Sequence, residues 1–229
     1  ALVRLTAEGK SEELPLPGSM EYLYALCPDG AGGAWLLCGS LPKGYFDAFG
    51  NFRFLSKEPE GKLALAHYDA AFALQEIVLL QTQYTDRFFQ LCRLEGGFCM
   101  MSASLLIRLD EAGAETSRQS LDAKDGWSFA AIQEADGALY VLTRNIYGEE
   151  LPELRKFAPD TLSALEADTC TSEVTGLGLC ADGRLLMGTR EELFAYDTGS
   201  GETEPLVRWQ ELGANVLAEQ PWELEDGYL

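Results

Sequence analysis

The sequence predicts an all-β chain of β-propeller-like repeats, each a four-stranded antiparallel blade. Three observations carry that prediction. Turn dipeptides recur behind alternating apolar runs, at Asp29-Gly30, Glu95-Gly96, Asp136-Gly137, Asp182-Gly183 and Asp226-Gly227. From Glu95 onward they are spaced by 41, 46 and 44 residues, within the roughly 40–50 residues of one blade. A second marker trails the first, in Leu109-Asp110 to Gly113, in Tyr196-Asp197 to Gly201 and near the start in Leu5 to Gly9. These are the expected turns between third and fourth strands.

The stretch from Val174 to Trp209 shows the unit most clearly. Turn signals at Asp182-Gly183, Arg190-Glu191 and Asp197 to Gly201 separate four short apolar runs. Asp-Gly suits a tight hairpin because glycine takes positive φ without steric cost. In chain order, residues 1–16 read as the last two strands of a blade. Residues 20–80 read as a blade with a long insertion around 40–61, because the first interval, from Asp29 to Glu95, is 66 residues. Segments 86–121, 126–168 and 173–209 supply three more blades, and 214–229 the first strand of another. All of 1–229 is then one propeller-like domain that starts and ends inside a blade. It is expected to be an incomplete ring or a fragment of a larger propeller, because closed rings are how propellers avoid free sheet edges. Residues 69–81 have good helix formers behind an N-cap aspartate. Tyr68-Asp69 nevertheless aligns with Tyr196-Asp197, and the segment reads as strand-turn-strand.

Apolar residues make up 47% of the 229, enough for one sizeable core or two small ones. Acidic residues number 37 against 17 basic, for a formal charge of −20. Such a surface repels phosphate backbones and anionic lipid, so neither nucleic acid nor direct membrane insertion is expected. No apolar run approaches the ~18–20 residues of a membrane span. The opening Ala1 to Leu5 reads as a strand and not as a signal peptide. Of the six cysteines, Cys92 and Cys99 flank the Leu94 to Gly97 turn and would face each other across it. That spacing permits a bridge without demanding one. Cys27 and Cys180 each stand two residues before an Asp-Gly, equivalent places in different blades. Free, buried thiols are expected.

Candidate chemistry is sparse. The single histidine, His67, lies in the apolar run Leu63 to Tyr68 and reads as a packed side chain; a nucleophilic device would need it as base. No cysteine–histidine set has zinc spacing, and Gly176-Leu177-Gly178 lacks the rest of a dinucleotide loop. Asp197 to Glu202 lacks calcium-ligand spacing. The carboxylate pairs Glu149-Glu150, Glu191-Glu192 and Glu223 with Glu225 are expected from an acidic composition. No catalytic residue, metal ligand or cofactor site is assigned. The one candidate contact surface is the insertion, with Tyr45, Phe46, Phe49 and Phe52 within eight positions. A shorter insertion, Asn145 to Pro152, falls at the same place in blade 126–168. Insertions at one blade position lie on one face, where aromatics meet a saccharide or peptide ligand, a partner domain, or the blade's own edge.

Leu193-Phe-Ala-Tyr-Asp-Thr-Gly-Ser-Gly-Glu-Thr-Glu-Pro-Leu-Val-Arg-Trp209, continuing to Asn215, and then Leu224-Glu-Asp-Gly227, carry a resemblance. This part is similar to the N-terminal propeller-like region of extracellular solute-binding lipoproteins of gut Firmicutes. There an Asp-x-x-Thr/Ser-Gly turn leads to a Leu-x-x-Trp run and a Glu-Asp-Gly hairpin. The likeness covers about 35 residues; the remainder matches only as generic blades. It implies a non-enzymatic extracellular binding or interaction module, accessory to a solute-binding domain of an ABC importer and anchored through a lipid outside this segment. No lipobox cysteine and no solute-binding domain occur in the 229 residues, so transport itself is not carried over. A propeller glycan-active enzyme with a carboxylate pair and a structural spacer domain are the alternative readings.

Overall fold

A computed structural model describes residues 2–5, 11–14, 16–18, 20–40, 44–46, 52–54, 62–80, 88–121, 126–148, 150–212, 223–224 and 227–228. These form strands and turns, with no α-helix among them. No helix long and apolar enough to cross a membrane occurs among the described residues. The chain divides into two compact units, Ala1–Met100 with Leu109–Thr116, and Met101–Arg108 with Ser117–Leu229.

The first unit opens with the hairpin β1 (Leu2–Leu5) and β2 (Ser11–Leu14). A four-stranded antiparallel sheet follows, ordered β3 (Tyr22–Pro28), β4 (Ala34–Ser40), β7 (Lys62–Tyr68) and β8 (Leu74–Leu79). Between β4 and β7 the chain makes a separate two-stranded ribbon, β5 (Gly44–Phe46) and β6 (Phe52–Phe54). Leu36, Cys38, Ala64, Ala66 and Tyr68 fill one core cluster here. Residues 74–79, which have helix-forming composition, are the edge strand β8.

The next sheet has the order β12-β11-β10-β9, from β9 (Phe88–Leu94), β10 (Gly97–Ser102), β11 (Leu105–Asp110) and β12 (Glu115–Ser120). Its residues are divided between the two units. In the second unit β13 (Trp127–Ala135), β14 (Ala138–Asn145), β15 (Glu153–Phe157) and β16 (Ala164–Thr169) form one sheet. A second sheet consists of β17 (Gly176–Leu179), β18 (Leu185–Gly188), β19 (Glu192–Tyr196) and β20 (Thr203–Arg208). A 3-10 turn at Trp209–Leu212 follows. The short β21 (Glu223–Leu224) and β22 (Gly227–Tyr228) pair at the end.

The turns show why the chain reverses where it does. Ala135 faces Ala138 across a two-residue loop, whose Asp136 and Gly137 both take positive φ, 49° and 70°. That geometry matches the right-handed twist of the flanking strands. Aspartate recurs at the third-to-fourth-strand turns for another reason. Asp69 Oδ1 accepts from the amides of Ala71 and Ala73, Asp110 Oδ1 from Ala114, and Asp197 Oδ1 from Gly199 and Ser200. A short carboxylate replaces the backbone partners that a tight turn cannot offer.

Burial follows position in the sheet. The middle strands β4, β10, β11, β14 and β18 are buried along nearly their whole length. The fourth strands β8, β16 and β20 are mostly exposed. A strand buried at successive residues is covered on both faces, since neighbouring side chains point to opposite sides. All six cysteines are free thiols. Burial pushes the Cys38 thiol up to about 11.

Candidate functional site

The aromatic insertion is the ribbon β5–β6. Its register sets Phe46 opposite Phe52 and Tyr45 opposite Arg53. Phe49 lies outside the described residues. The ribbon is not part of the β3-β4-β7-β8 sheet, so a segment read from sequence as a loop has ladder pairing of its own.

A polar cluster of the first unit was not legible in the sequence. Register places Cys27, Trp35, His67 and Glu76 in one row across β3, β4, β7 and β8. The His67 ring stacks on the Trp35 indole at 4.5 Å and 9°. Its Nε2 donates to Asp29 Oδ2 at 2.9 Å. Asp29 Oδ1 accepts from the amides of Ala31 and Gly33, each at 2.8 Å. Burial alone would raise the Asp29 carboxyl. The hydrogen bonds from His67, Ala31 and Gly33 outweigh it and hold the group below the usual carboxylate range. Phe98 meets Trp35 edge-on at 4.8 Å. The Arg93 guanidinium lies 4.5 Å from the Phe98 ring centre and pairs with Glu111 at 3.0 Å. His67 is a quarter exposed, so the histidine read as packed in an apolar strand is also half of a hydrogen-bonded clasp with Asp29, with one edge in solvent.

That clasp has the orienting half of a catalytic triad. A nucleophile would have to hydrogen-bond the second histidine nitrogen, and among the described residues only Asp29 bonds to His67. Cys27 stands two strands away, with Trp35 between them in register. Burial pushes its thiol far above the ordinary range, which keeps it protonated and unreactive. The pair therefore fastens the β3–β4 turn to β7.

The remaining candidates are dispersed. Glu192 is taken up by Arg208 at 3.5 Å, while Glu191 is exposed in the β18–β19 turn. Glu149 and Glu225 lie outside the described residues. No group of three or more histidine, cysteine or acidic residues converges among the described residues. A shallow cleft in the second unit is lined by Ser120, Phe129, Arg155 and Leu165. Arg155 is committed there to Glu153 at 2.9 Å.

One more feature stands at the β14–β15 connection. Ile146, Tyr147 and Leu151 are 60%, 66% and 42% exposed. Tyr147 donates its amide to Asn145 Oδ1 at 2.8 Å, and Ile146 donates its amide to the Gly126 carbonyl at 2.7 Å. The Tyr147 ring lies against Gly126, where a Cβ would stand 2.5 Å from Cε2.

No protein-family model matches the chain, and no curated protein is similar to it. Among solved structures it is similar to the computationally designed Ika8 protein, with a TM-score of 0.49 and 13% identity over 85% of this chain and 51% of that one. A second similar structure is the extracellular domain of a proposed one component system, BT4673 from B. thetaiotaomicron. There the TM-score is 0.48, with 10% identity over 93% of this chain and 37% of that one. The chain thus spans about half the length of the first structure and less of the second.

Proposed function

We propose that this chain is a non-enzymatic, extracellular binding or interaction module built of propeller-like blades, accessory to a solute-binding lipoprotein. Two features of the sheets support the propeller-like part. Their first strands lie side by side within each unit, β3 with β9 and β13 with β17. Register shifts also recur at equivalent places, between first and second strands at Leu23/Ala25 and Phe129/Ala131, and between third and fourth at Lys156/Phe157 and Leu193/Phe194. Repeated bulges of this kind are family-like features that increase twist.

The observation that carries the binding role is the separate β5–β6 ribbon. A blade needs only a few residues between its second and third strands, as at 189–191. This connection spends residues 41–61 and places five aromatics there, Tyr45, Phe46, Phe49, Phe52 and Phe54. Aromatics bury ~150–250 Å² each when covered and dominate contact surfaces. Tyr45, Phe46, Phe49 and Phe52 are the residues assigned to contact with a downstream domain or a saccharide or peptide ligand.

The test pairs Tyr45→Ser with Phe49→Ser and compares unfolding by denaturant with the parent chain. A contact surface gives a change under ~1 kcal/mol, as exposed sites do. In parallel, neutral oligosaccharides incubated with the parent chain are expected to be recovered intact. Destabilisation by several kcal/mol would make the ribbon part of the core, and cleaved sugars would make the chain an enzyme. Either result overturns the reading.

A further inference from the structure

We propose that the outer edge of β16 is a docking strand for an extended basic segment of a partner protein, one whose side chains alternate apolar and cationic. The inference goes beyond the reading above and names a surface other than the β5–β6 ribbon.

β16 is the last strand of its sheet, and no described strand pairs with its outer side. All six of its residues are exposed. Register fixes what that side offers. The Cys170 amide donates to the Pro152 carbonyl, so these two face each other as a hydrogen-bonded pair, and the antiparallel ladder alternates from there. Leu154/Asp168 and Lys156/Glu166 are then also hydrogen-bonded pairs, while Glu153/Thr169 and Arg155/Ala167 are not. The N–H and C=O groups of Ala167 and Thr169 therefore point away from β15, toward the open edge. A row of such groups is a template for one more strand.

Register also sorts the side chains. Ala167 shares a face with Arg155, and on that face a cleft of about 260 Å³ is lined by Phe129, Phe157, Leu165 and Ala167. Arg155 stands in the cleft already paired with Glu153. Glu166 and Asp168 lie on the opposite face, with Leu154 and Lys156. Glu166 is 69% exposed, and Lys156 reaches it only at 3.8 Å, so two carboxylates share one ammonium there. A strand added antiparallel to β16 would set one residue opposite Ala167 as a hydrogen-bonded pair, with its side chain at the cleft. The neighbours of that residue would face Glu166 and Asp168 in non-hydrogen-bonded pairs. Those bring Cα atoms within ~4.5 Å and their side chains closer still, which favours opposite charges across the pair.

Charge selects the occupant. With 37 acidic residues against 17 basic ones, the chain attracts basic segments and repels a second copy of itself. Pairing of β16 with its own copy about Ala167 would set Glu166 against Asp168, carboxylate on carboxylate. The same two groups that reject that partner accept a strand with lysine or arginine at both positions. The other outer strands lack the combination. β20 contains Pro205, which cannot donate to a ladder, β12 carries Arg118, and β8 has Glu76 as its one carboxylate.

The experiment measures fluorescence anisotropy of a dye-labelled, amidated peptide, Leu-Lys-Leu-Lys-Leu, titrated with the chain at about 0.15 M sodium chloride, where distant charges are screened. Saturable binding is expected. It should exceed by about tenfold that of Leu-Leu-Leu-Lys-Lys, which has the same charge and composition without the alternation. N-methylation of the central leucine, which removes the ladder donor opposite Ala167, should weaken binding by about tenfold as well. In the chain, Glu166→Gln with Asp168→Asn should weaken it about tenfold at an unchanged thermal midpoint. Glu21→Gln with Glu173→Gln, which removes the same charge elsewhere, should change it less than about twofold. Absence of binding overturns the proposal. So does equal binding of the block peptide or of the N-methylated one, since either would mean diffuse attraction to an acidic surface. An equal loss from the two pairs of substitutions has the same meaning and the same consequence. Sedimentation showing a dimer that the alternating peptide dissolves would assign the edge to a second copy and also overturn it. None of these outcomes bears on the Tyr45/Phe49 test, so the edge can fail while the ribbon reading stands.

Discussion

Asp29 joins three strands' worth of structure through one carboxylate: two amides of its own turn on Oδ1 and the His67 ring on Oδ2. Gly33 is part of the same arrangement, because a Cβ there would land on the Tyr68 carbonyl oxygen and 2.5 Å from Asp29 Oδ2. Replacing Asp29 by Asn keeps the shape but removes the charge from a largely buried, hydrogen-bonded site, a change expected to cost about 1–3 kcal/mol near neutral pH. The pH dependence has a definite sign. The folded-state pKa of Asp29 lies below its unfolded value, so its contribution is complete above the unfolded carboxylate pKa of about 3.9. It is lost as pH falls through the lower folded value. Denaturant unfolding of parent and Asp29→Asn should therefore differ most above about pH 4 and converge in stronger acid. A gap that stays constant down to pH 2 would show that the carboxylate charge is not what stabilises the turn. The pairing could not be read from the sequence because Asp29 and His67 are 38 residues apart. Only the register that sets Trp35 opposite both Cys27 and His67 brings them within reach.

At the scale of the element, Trp209 shows how a blade is finished. It sits in the 3-10 turn after β20, buried, with its indole Nε1 donating to the Thr189 carbonyl at 3.1 Å and its amide donating to the Glu191 carbonyl. Its ring completes the cluster of Cys180, Leu186, Leu193 and Ala195. One residue thus closes the β18–β19 turn and covers one side of the sheet. Trp209→Ala removes a large buried ring and leaves the Thr189 carbonyl short of a partner; about 3–5 kcal/mol of destabilisation is expected, read from the denaturation midpoint. A loss below 1 kcal/mol would mean that the turn collapses onto the gap without penalty. The strands of this sheet were legible from Asp182-Gly183 and Asp197 to Gly201, since those residues both punctuate and build the turns. The β5–β6 ribbon was not, because strands of three residues carry too little periodicity to separate a ladder from a loop. Residues 74–79 show the opposite case: their helical composition is overridden by pairing to β7.

For the molecule as a whole, the charge balance is the property the composition determines most directly. Ion pairs are present, among them Arg184 with Asp182 and Glu204, each at 2.7 Å, and Arg93 with Glu111. The carboxylates of these pairs are mostly solvent-exposed, and exposed pairs contribute about 0–1 kcal/mol apiece, less as salt rises. Against them stands a formal charge of −20 on 229 residues, whose mutual repulsion opposes the compact state. The two effects respond to salt in opposite directions: screening weakens the pairs and relieves the repulsion. With 37 acidic residues and only 17 basic ones to offset them, the repulsion outweighs the pairs. Sodium chloride from about 0.01 to 0.5 M shortens the screening length from roughly 30 Å to under 8 Å. The thermal midpoint at pH 7 is therefore expected to rise by several degrees across that range. Chloride is the appropriate anion because sulfate would strengthen apolar burial by a separate route. A midpoint that falls with sodium chloride would show that the surface pairs prevail over the excess of carboxylates, and that the acidic surface is organised around its few cations.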